Sequence, residues 1–303
     1  METADANDST LILANDPDAD RLAVACKDRD GKWVILTGNE IAAVFADWVW
    51  LQWKSKNPHG DPSKCAMIAS TVSSKHLQAM AKREGFQFFD TLTGFKWIGN
   101  KAIEVTNDGM EFLFGYEVEI GFLVGSTSFD KDGIRTAAIF AEAANYWLRT
   151  TGESVLDRVN EFYKKYGYFK MTNSYFIYND MSIGDQIFHH ICTGYNGTYP
   201  THCGEFVVKS IRNISTNYDS SYPDMKSRLP LVTDAHMITF TFTNGVTVTL
   251  RNSGTEPKLK YYIEANSDQS PEEAHQLMEK VTQSVIEEFI RPTHYGLVAR
   301  KLD

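Results

Sequence analysis

Residues 65–117 read CAMIASTVSSKHLQAMAKREGFQFFDTLTGFKWIGNKAIEVTNDGMEFLFGYE. Three short apolar runs, 65–70, 86–89 and 112–116, are separated by two segments with helical spacing, 73–84 and 96–107. The runs have the length and β-branched or aromatic content of buried strands, and the intervening segments are long enough for crossover helices. Ser73 or Ser74 offers an N-cap for the first helix, and Gly85 stops it. Strands alternating with helices in this way predict a doubly wound α/β sheet with right-handed crossovers.

The pattern extends in both directions. Upstream, the runs 11–14 and 22–26 read as strands flanking an acidic loop, with turn chemistry at 28–31. Asn39 is placed to cap a long helix to about residue 56, ended by Asn57-Pro58-His59-Gly60. Downstream, an alanine-rich helix is predicted over 131–149 and another over 154–166. The character then changes. Residues 169–178, 205–212, 237–243, 246–250 and 258–264 read as strands, with a hairpin turn at Asn244-Gly245 and helices over 183–193 and 271–290. That is a separate α+β domain with an antiparallel sheet, the boundary falling near 152–168.

The 303 residues carry a net charge of −9, with 43% hydrophobic and 23% charged residues. This suits a soluble globular chain and argues against duplex nucleic acid or an anionic membrane as a general partner. The segment 41–53 is the most apolar helical stretch; it contains Asp47 and is too short to span a bilayer. No basic and apolar leader opens the chain. Cys26, Cys65, Cys192 and Cys203 form no C-x-x-C pair, and reduced thiols in the cytoplasm are the expectation. A buried strand at 11–14 follows so little sequence that further domains of the same protein are expected before it.

Three loops carry chemistry. In Asn15-Asp16-Pro17-Asp18-Ala19-Asp20-Arg21, three carboxylates alternate within five residues, and hard divalent cations take oxygen ligands. An EF-hand is excluded, because Arg21 replaces its glycine and Lys27 its bidentate glutamate. A solvated acidic turn is the plain alternative; Arg21 adds a cation suited to phosphate. In Arg251-Asn252-Ser253-Gly254-Thr255-Glu256-Pro257, a glycine turn with two hydroxyls and an arginine makes an anion nest, with Lys258 and Lys260 beside it. An ordinary hairpin is its alternative, and the P-loop frame is absent. In Phe114-Gly115-Tyr116-Glu117-Val118-Glu119-Ile120-Gly121, carboxylates suited to sugar hydroxyls leave the end of a buried strand, where ligands of doubly wound sheets bind. Thr91-Leu92-Thr93-Gly94-Phe95-Lys96 and Asp130-Lys131-Asp132-Gly133 lie in similar positions.

These five segments, in this order, resemble the α-D-phosphohexomutases, in the branch that holds phosphopentomutase and glucose-1,6-bisphosphate synthase. The resemblance implies the C-terminal half of a four-domain mutase. Residues 1–38 would be the tail of its second domain, 39–160 its sugar-binding α/β third domain with a doubly wound mixed sheet, and 161–303 its fourth, a TATA-binding-protein-like α+β lid. It implies that Asp16, Asp18 and Asp20 hold Mg²⁺. Thr93, Gly94, Phe95, Lys96, Glu117 and Glu119 would meet the sugar, and Arg251, Ser253, Gly254 and Thr255 the phosphate that is not transferred. Lys131 and Arg21 would assist the chemistry. The implied reaction moves a phosphoryl group between sugar 1-phosphates and 5- or 6-phosphates through a phosphoserine and a bisphosphate such as glucose 1,6-bisphosphate. Two departures stand out. Glu119 replaces the family's usual small residue, and the phosphoserine loop is not found. Thr71-Val72-Ser73-Ser74-Lys75-His76 imitates that loop but sits where an N-cap belongs. The expectation is that these residues alone bind sugar phosphates without turnover; a non-catalytic sugar-phosphate-binding remnant and a bisphosphate synthase are the alternatives.

Overall fold

The computed structural model describes residues 1–253 and 256–300. The chain forms two compact units, Met1–Gly167 and Tyr168–Asp303.

The first unit opens with a short helix α1 (Glu2–Asp5), then an antiparallel sheet of β1 (Leu11–Asn15), β2 (Leu22–Lys27) and β3 (Trp33–Ile35). Helix α2 (Gly38–Lys56) follows. Asn39 is not its cap. The side chain of Thr37 accepts the N–H of Glu40, and Glu40 returns a bond to the Thr37 N–H, a complete capping box. Asn39 instead lies inside the helix, where its Oδ1 accepts the Tyr116 hydroxyl at 3.0 Å.

The main sheet has the order β5 (Gln87–Thr91), β4 (Cys65–Ser70), β6 (Glu111–Glu117), β7 (Gly121–Val124). The first three strands run parallel, joined by α3 (His76–Glu84) and α4 (Phe95–Asn107); helices α5 (Gly133–Thr150) and α6 (Val155–Tyr166) complete the unit. β7 pairs antiparallel with β6 and was not among the expected strands. The sheet is mixed, as the resemblance implies, and the Glu117 loop is a hairpin turn. One face packs Ala66 and Ile68 of β4 and Phe112 of β6 against Phe95, Ile98 and Ala102 of α4. On the other, Phe45 of α2 meets Phe114, Phe122 and Phe140 with ring centroids 5.2–5.7 Å apart. Phe112 and Phe114 face opposite layers because β6 bulges. Ala66 pairs with Phe112 but Met67 pairs with Phe114, so Leu113 is the extra residue.

In the second unit β8 (Tyr168–Ile177) is followed by α7 (Met181–Thr193), then β9 (His202–Cys203), β10 (Phe206–Asn213), β11 (Tyr218–Asp219), β12 (Met237–Phe242), β13 (Thr247–Asn252) and β14 (Lys258–Ser267). Helices α8 (Pro271–Ser284) and α9 (Pro292–Tyr295) and a last short strand β15 (Val298–Ala299) follow. The sheet is antiparallel, in the order β11-β10-β12-β13-β14-β8-β15, with β9 on β10. Ile187, Phe188 and Ile191 of α7 and Val281 of α8 close over Ile238, Phe240, Val248 and Leu250. The expected helix over 271–290 is α-helical only to Ser284; Val285–Ile290 winds as a π-helix. Among the described residues, no helix is long and apolar enough to cross a membrane.

Candidate active site

The first unit brings four of the sequence-identified segments together at the carboxyl ends of β4, β5 and β6. The acidic loop, between β1 and β2, is tied down from several sides. Asp16 Oδ1 accepts the Arg21 N–H at 3.2 Å, and the Arg21 Nε lies 3.9 Å from Asp16 Oδ2. Asn15 donates to the Arg21 carbonyl at 2.6 Å, and Gly133 donates its N–H to the Ala19 carbonyl at 3.0 Å. A Cβ at 133 would stand 2.4 Å from the Arg21 carbonyl oxygen, so only glycine admits this approach. Gly133, last in the Asp130-Lys131-Asp132-Gly133 segment, thus seats the acidic loop on α5; its role follows from proximity across the fold, which no local pattern announces.

The Glu117 hairpin docks on the same loop. The Leu22 N–H donates to the Ile120 carbonyl at 3.1 Å, and Arg21 pairs with Gly121 as an isolated bridge. Glu117 ends β6 half-buried and accepts the Gly94 N–H on Oε1 at 2.8 Å. Gly94 is the N-cap of α4, so the carboxylate sits at a helix N-terminus, where negative charge is favoured. One carboxylate accepts several hydrogen bonds, which leaves Glu117 capacity for a hydroxyl. Glu119 is exposed on the turn beyond. Thr93 is half-buried, Phe95 packs in the α4 core, and Lys96 is exposed with its ammonium 5.5 Å from the Trp97 ring.

Lys131 links the segments. Its Nζ lies 2.5 Å from Asp20 Oδ2 and 5.7 Å from the centroid of the Phe95 ring. Two of the three aspartates are therefore matched to cations, Asp16 to Arg21 and Asp20 to Lys131. The donor set has the oxygen chemistry of a magnesium site. Among the described residues, however, no three His, Cys, Asp or Glu side chains converge as metal ligands.

In the second unit, Arg251 lies on β13 directly opposite Lys260 of β14, so two cations stand side by side on one face. The loop between these strands is closed by the Ser253 N–H donating to the Lys258 carbonyl at 2.9 Å and by the Glu256 N–H donating to Ser253 Oγ at 3.2 Å. Lys258 pairs with Glu256 at 3.0 Å. Gly254 and Thr255 lie outside the described residues. The stem is braced from behind. Asn252 accepts the His236 N–H on its side chain at 2.6 Å and donates its own N–H to the His236 carbonyl at 3.1 Å. His236 in turn contacts Asp185 at 2.9 Å and stacks on Phe188.

Ser73 and Ser74 do not cap α3 at its first residue. The helix starts at His76 after Lys75; Ser74 Oγ accepts the His76 N–H at 3.2 Å, and Ser73 bonds elsewhere. Both serines are buried, at 2% and 1% exposure, which removes either from consideration as a nucleophile that must reach a substrate.

Comparison with known proteins places this arrangement in context. The family model described as "Phosphoglucomutase/phosphomannomutase, alpha/beta/alpha domain III" matches residues 37–166, and that for the "C-terminal domain" of the same group matches 222–284. The chain is 42% identical over 306 residues to glucose 1,6-bisphosphate synthase of Mus musculus, covering 100% of the chain and 49% of that protein. It is 43% identical over 302 residues to phosphopentomutase of the same species, covering 97% of the chain and 48% of that protein. The chain thus spans about half the length of these curated relatives. Among solved structures, the open form of pp63/parafusin, a phosphoglucomutase from Paramecium, superposes with a TM-score of 0.71 at 18% identity over 97% of the chain and 47% of that protein, a likeness of fold.

Proposed function

We propose, since the chain belongs to the phosphoglucomutase/phosphomannomutase family, that it supplies the recognition machinery of a sugar-phosphate mutase. That enzyme moves a phosphoryl group between the 1-position and the 5- or 6-position of a sugar. The observation that carries the reading is the meeting of the acidic loop, the Glu117 hairpin, Gly94 and Lys131 at one edge of the sheet.

In this reading Glu117, held by the Gly94 N–H, accepts sugar hydroxyls, with Thr93, Phe95, Lys96 and Glu119 around it. Arg251, Ser253, Gly254 and Thr255 grip the phosphate that is not transferred, Arg251 through two N–H groups at once. Asp16, Asp18 and Asp20 would hold Mg²⁺ after Asp20 leaves Lys131, and the ion would offset charge on the transferring phosphoryl group. Lys131 keeps a positive charge beside that group, and Arg21 lies next to it. The phosphoryl-carrying nucleophile is not among the loops assigned here. Identities of 42% and 43% support synthesis of glucose 1,6-bisphosphate and pentose phosphate mutation equally, and both would use these loops. The free cysteines support a cytoplasmic setting.

Calorimetric titration tests the reading. The chain is expected to bind glucose 1-phosphate and glucose 1,6-bisphosphate. Glu117→Ala should weaken glucose 1-phosphate by at least about tenfold, the scale of a hydrogen bond to a charged group, and leave inorganic phosphate unchanged. Absence of sugar-phosphate binding by the wild type, or wild-type binding by Glu117→Ala, overturns it. A coupled mutase assay on these residues alone is expected to show no turnover.

A further inference from the structure

The Thr71-Val72-Ser73-Ser74-Lys75-His76 segment has no part in the function proposed above, yet it lies under the sugar hairpin. β4 ends at Ser70, and a tight turn closed by the Ser73 N–H donating to the Ser70 carbonyl at 2.9 Å folds Ser73 back. The hydroxyls of Ser70 and Ser73 are 2.8 Å apart, and both residues are buried. Ser73 Oγ also accepts the backbone N–H of Val118 at 3.0 Å. One hydroxyl donates once and accepts twice, so Ser73 can donate to Ser70 while it accepts from Val118.

Val118 is the residue between Glu117 and Glu119. Its side chain is buried while Glu117 is half-buried and Glu119 exposed, so the backbone bond to Ser73 fixes the peptide plane that separates the two carboxylates. The other side of Val118 is also constrained. A Cβ at Gly38, the first residue of α2, would fall 2.1 Å from the Val118 carbonyl oxygen. Beneath Ser73 the support is rigid. The Ser74 N–H donates to Asn39 at 3.1 Å, and the Tyr116 hydroxyl donates to the same Asn39 oxygen at 3.0 Å. The hairpin thus pairs with β4 up to Tyr116, and beyond that point it meets the turn after β4 through the Ser73 hydroxyl.

We infer that Ser73 is a positioning residue for sugar recognition: through the Val118 N–H it sets the orientation of Glu117 and Glu119, and so the discrimination between sugar phosphates. The inference rests on the reading of Glu117 as a hydroxyl acceptor. Recognition groups must be held within fractions of an ångström, and a released Val118 amide lets the turn shift by that much.

The test is titration of wild type, Ser73→Ala and Ser74→Ala with glucose 1-phosphate, ribose 1-phosphate and inorganic phosphate. Ser73→Ala should weaken glucose 1-phosphate by about tenfold, the cost scale of a buried amide left unpaired. It should also change the glucose-to-ribose preference while leaving inorganic phosphate as it was. Ser74 is as buried, but its hydroxyl accepts the His76 N–H, away from the Val118 amide, so Ser74→Ala should keep the wild-type preference. Ser73→Thr, which keeps the hydroxyl, should restore it. Equal preference in wild type and Ser73→Ala, or an equal shift in both alanine variants, overturns the inference. Amide exchange needs no ligand and separates the two readings. Val118 should be protected in the wild type, and exchange as fast as at the exposed Glu119 sinks the Ser73 assignment even where the serine variants fail to fold. A wild type that binds no sugar phosphate, with Val118 protected, sinks the proposed function instead.

Discussion

Gly133→Ala is the perturbation whose size the structure specifies best. The added methyl would stand 2.4 Å from the Arg21 carbonyl oxygen, 2.4 Å from Asn15 Nδ2 and 2.8 Å from the Ala19 carbonyl oxygen. These three atoms belong to the stem of the acidic loop, and two of them form the 2.6 Å bond that closes it. The loop must move off α5, which breaks the Gly133–Ala19 bond and strains the Asn15–Arg21 bond. Overpacking a tight site costs about 1–3 kcal/mol, and each hydrogen bond contributes about 0.5–1.5 kcal/mol. Alanine gains at most about 1 kcal/mol of helix propensity over glycine. The balance is a loss of about 2–4 kcal/mol. All six tryptophans lie at or before position 147, so their fluorescence reports on Met1–Gly167 alone. With a urea slope near 2 kcal/mol/M, the midpoint of that signal should fall by about 1–2 M. A midpoint within about 0.2 M of the wild type would mean that the loop yields freely, and the reasoning about its seating would be wrong.

Removing the Lys131 ammonium should help a cation, not hinder it. Lys131→Met is expected to raise Mg²⁺ affinity by up to about fivefold, the scale of a partly exposed ion pair, and calorimetry showing equal or weaker binding would refute the competition for Asp20. A pH dependence follows from His76, whose imidazole burial pushes down to about 3. The unfolded chain takes up that proton below about 6.5 while the folded one does not. The stability is thus fully present above pH 6.5 and is lost as pH falls toward 3. Urea unfolding should lose about 2–3 kcal/mol more between pH 7 and 4.5 in the wild type than in His76→Gln, and parallel pH profiles would contradict this.

The repeating β-α units were legible because their strands are short apolar runs and α3 carries its own stop signal. Cys65–Ser70 is buried throughout, and Gly85 closes α3 in the left-handed region at φ +91°. The Asn39 cap was misread although the deciding signal was present. Thr37 with Glu40 three residues on is a capping-box pair and outranks a lone asparagine. β7 escaped notice because Gly121–Val124 is four buried residues with no alternation. The chemistry-bearing loops could be listed from the sequence, but not what binds them to each other. Lys131 meets Asp20, and Ser73 meets Val118 across 45 positions, through pairings that only the folded sheet creates. The π-helical turn at the end of α8 left no local mark either, since Val285–Ile290 reads as ordinary amphipathic helix.

The bulge at Leu113 decides which way the end of β6 looks. Side chains of a strand alternate between its faces, so strict alternation would put Phe112 and Phe114 on one face; as a bulge, Leu113 takes no place in the alternation, and the facing of every residue after it is the reverse of the one its number would give. With Leu113 in place, Glu117 falls on the layer of α4, where the Gly94 amide receives it, and Val118 on the layer of α2, against Ser73. Flatten the bulge so that Leu113 pairs like its neighbours and the two exchange places: the Glu117 carboxylate would be driven toward buried Ser73 and Gly38, and Val118 toward the Gly94 amide. The facing of Glu117 and Val118 is therefore set by how β6 pairs at Leu113, and not by the count of residues alone.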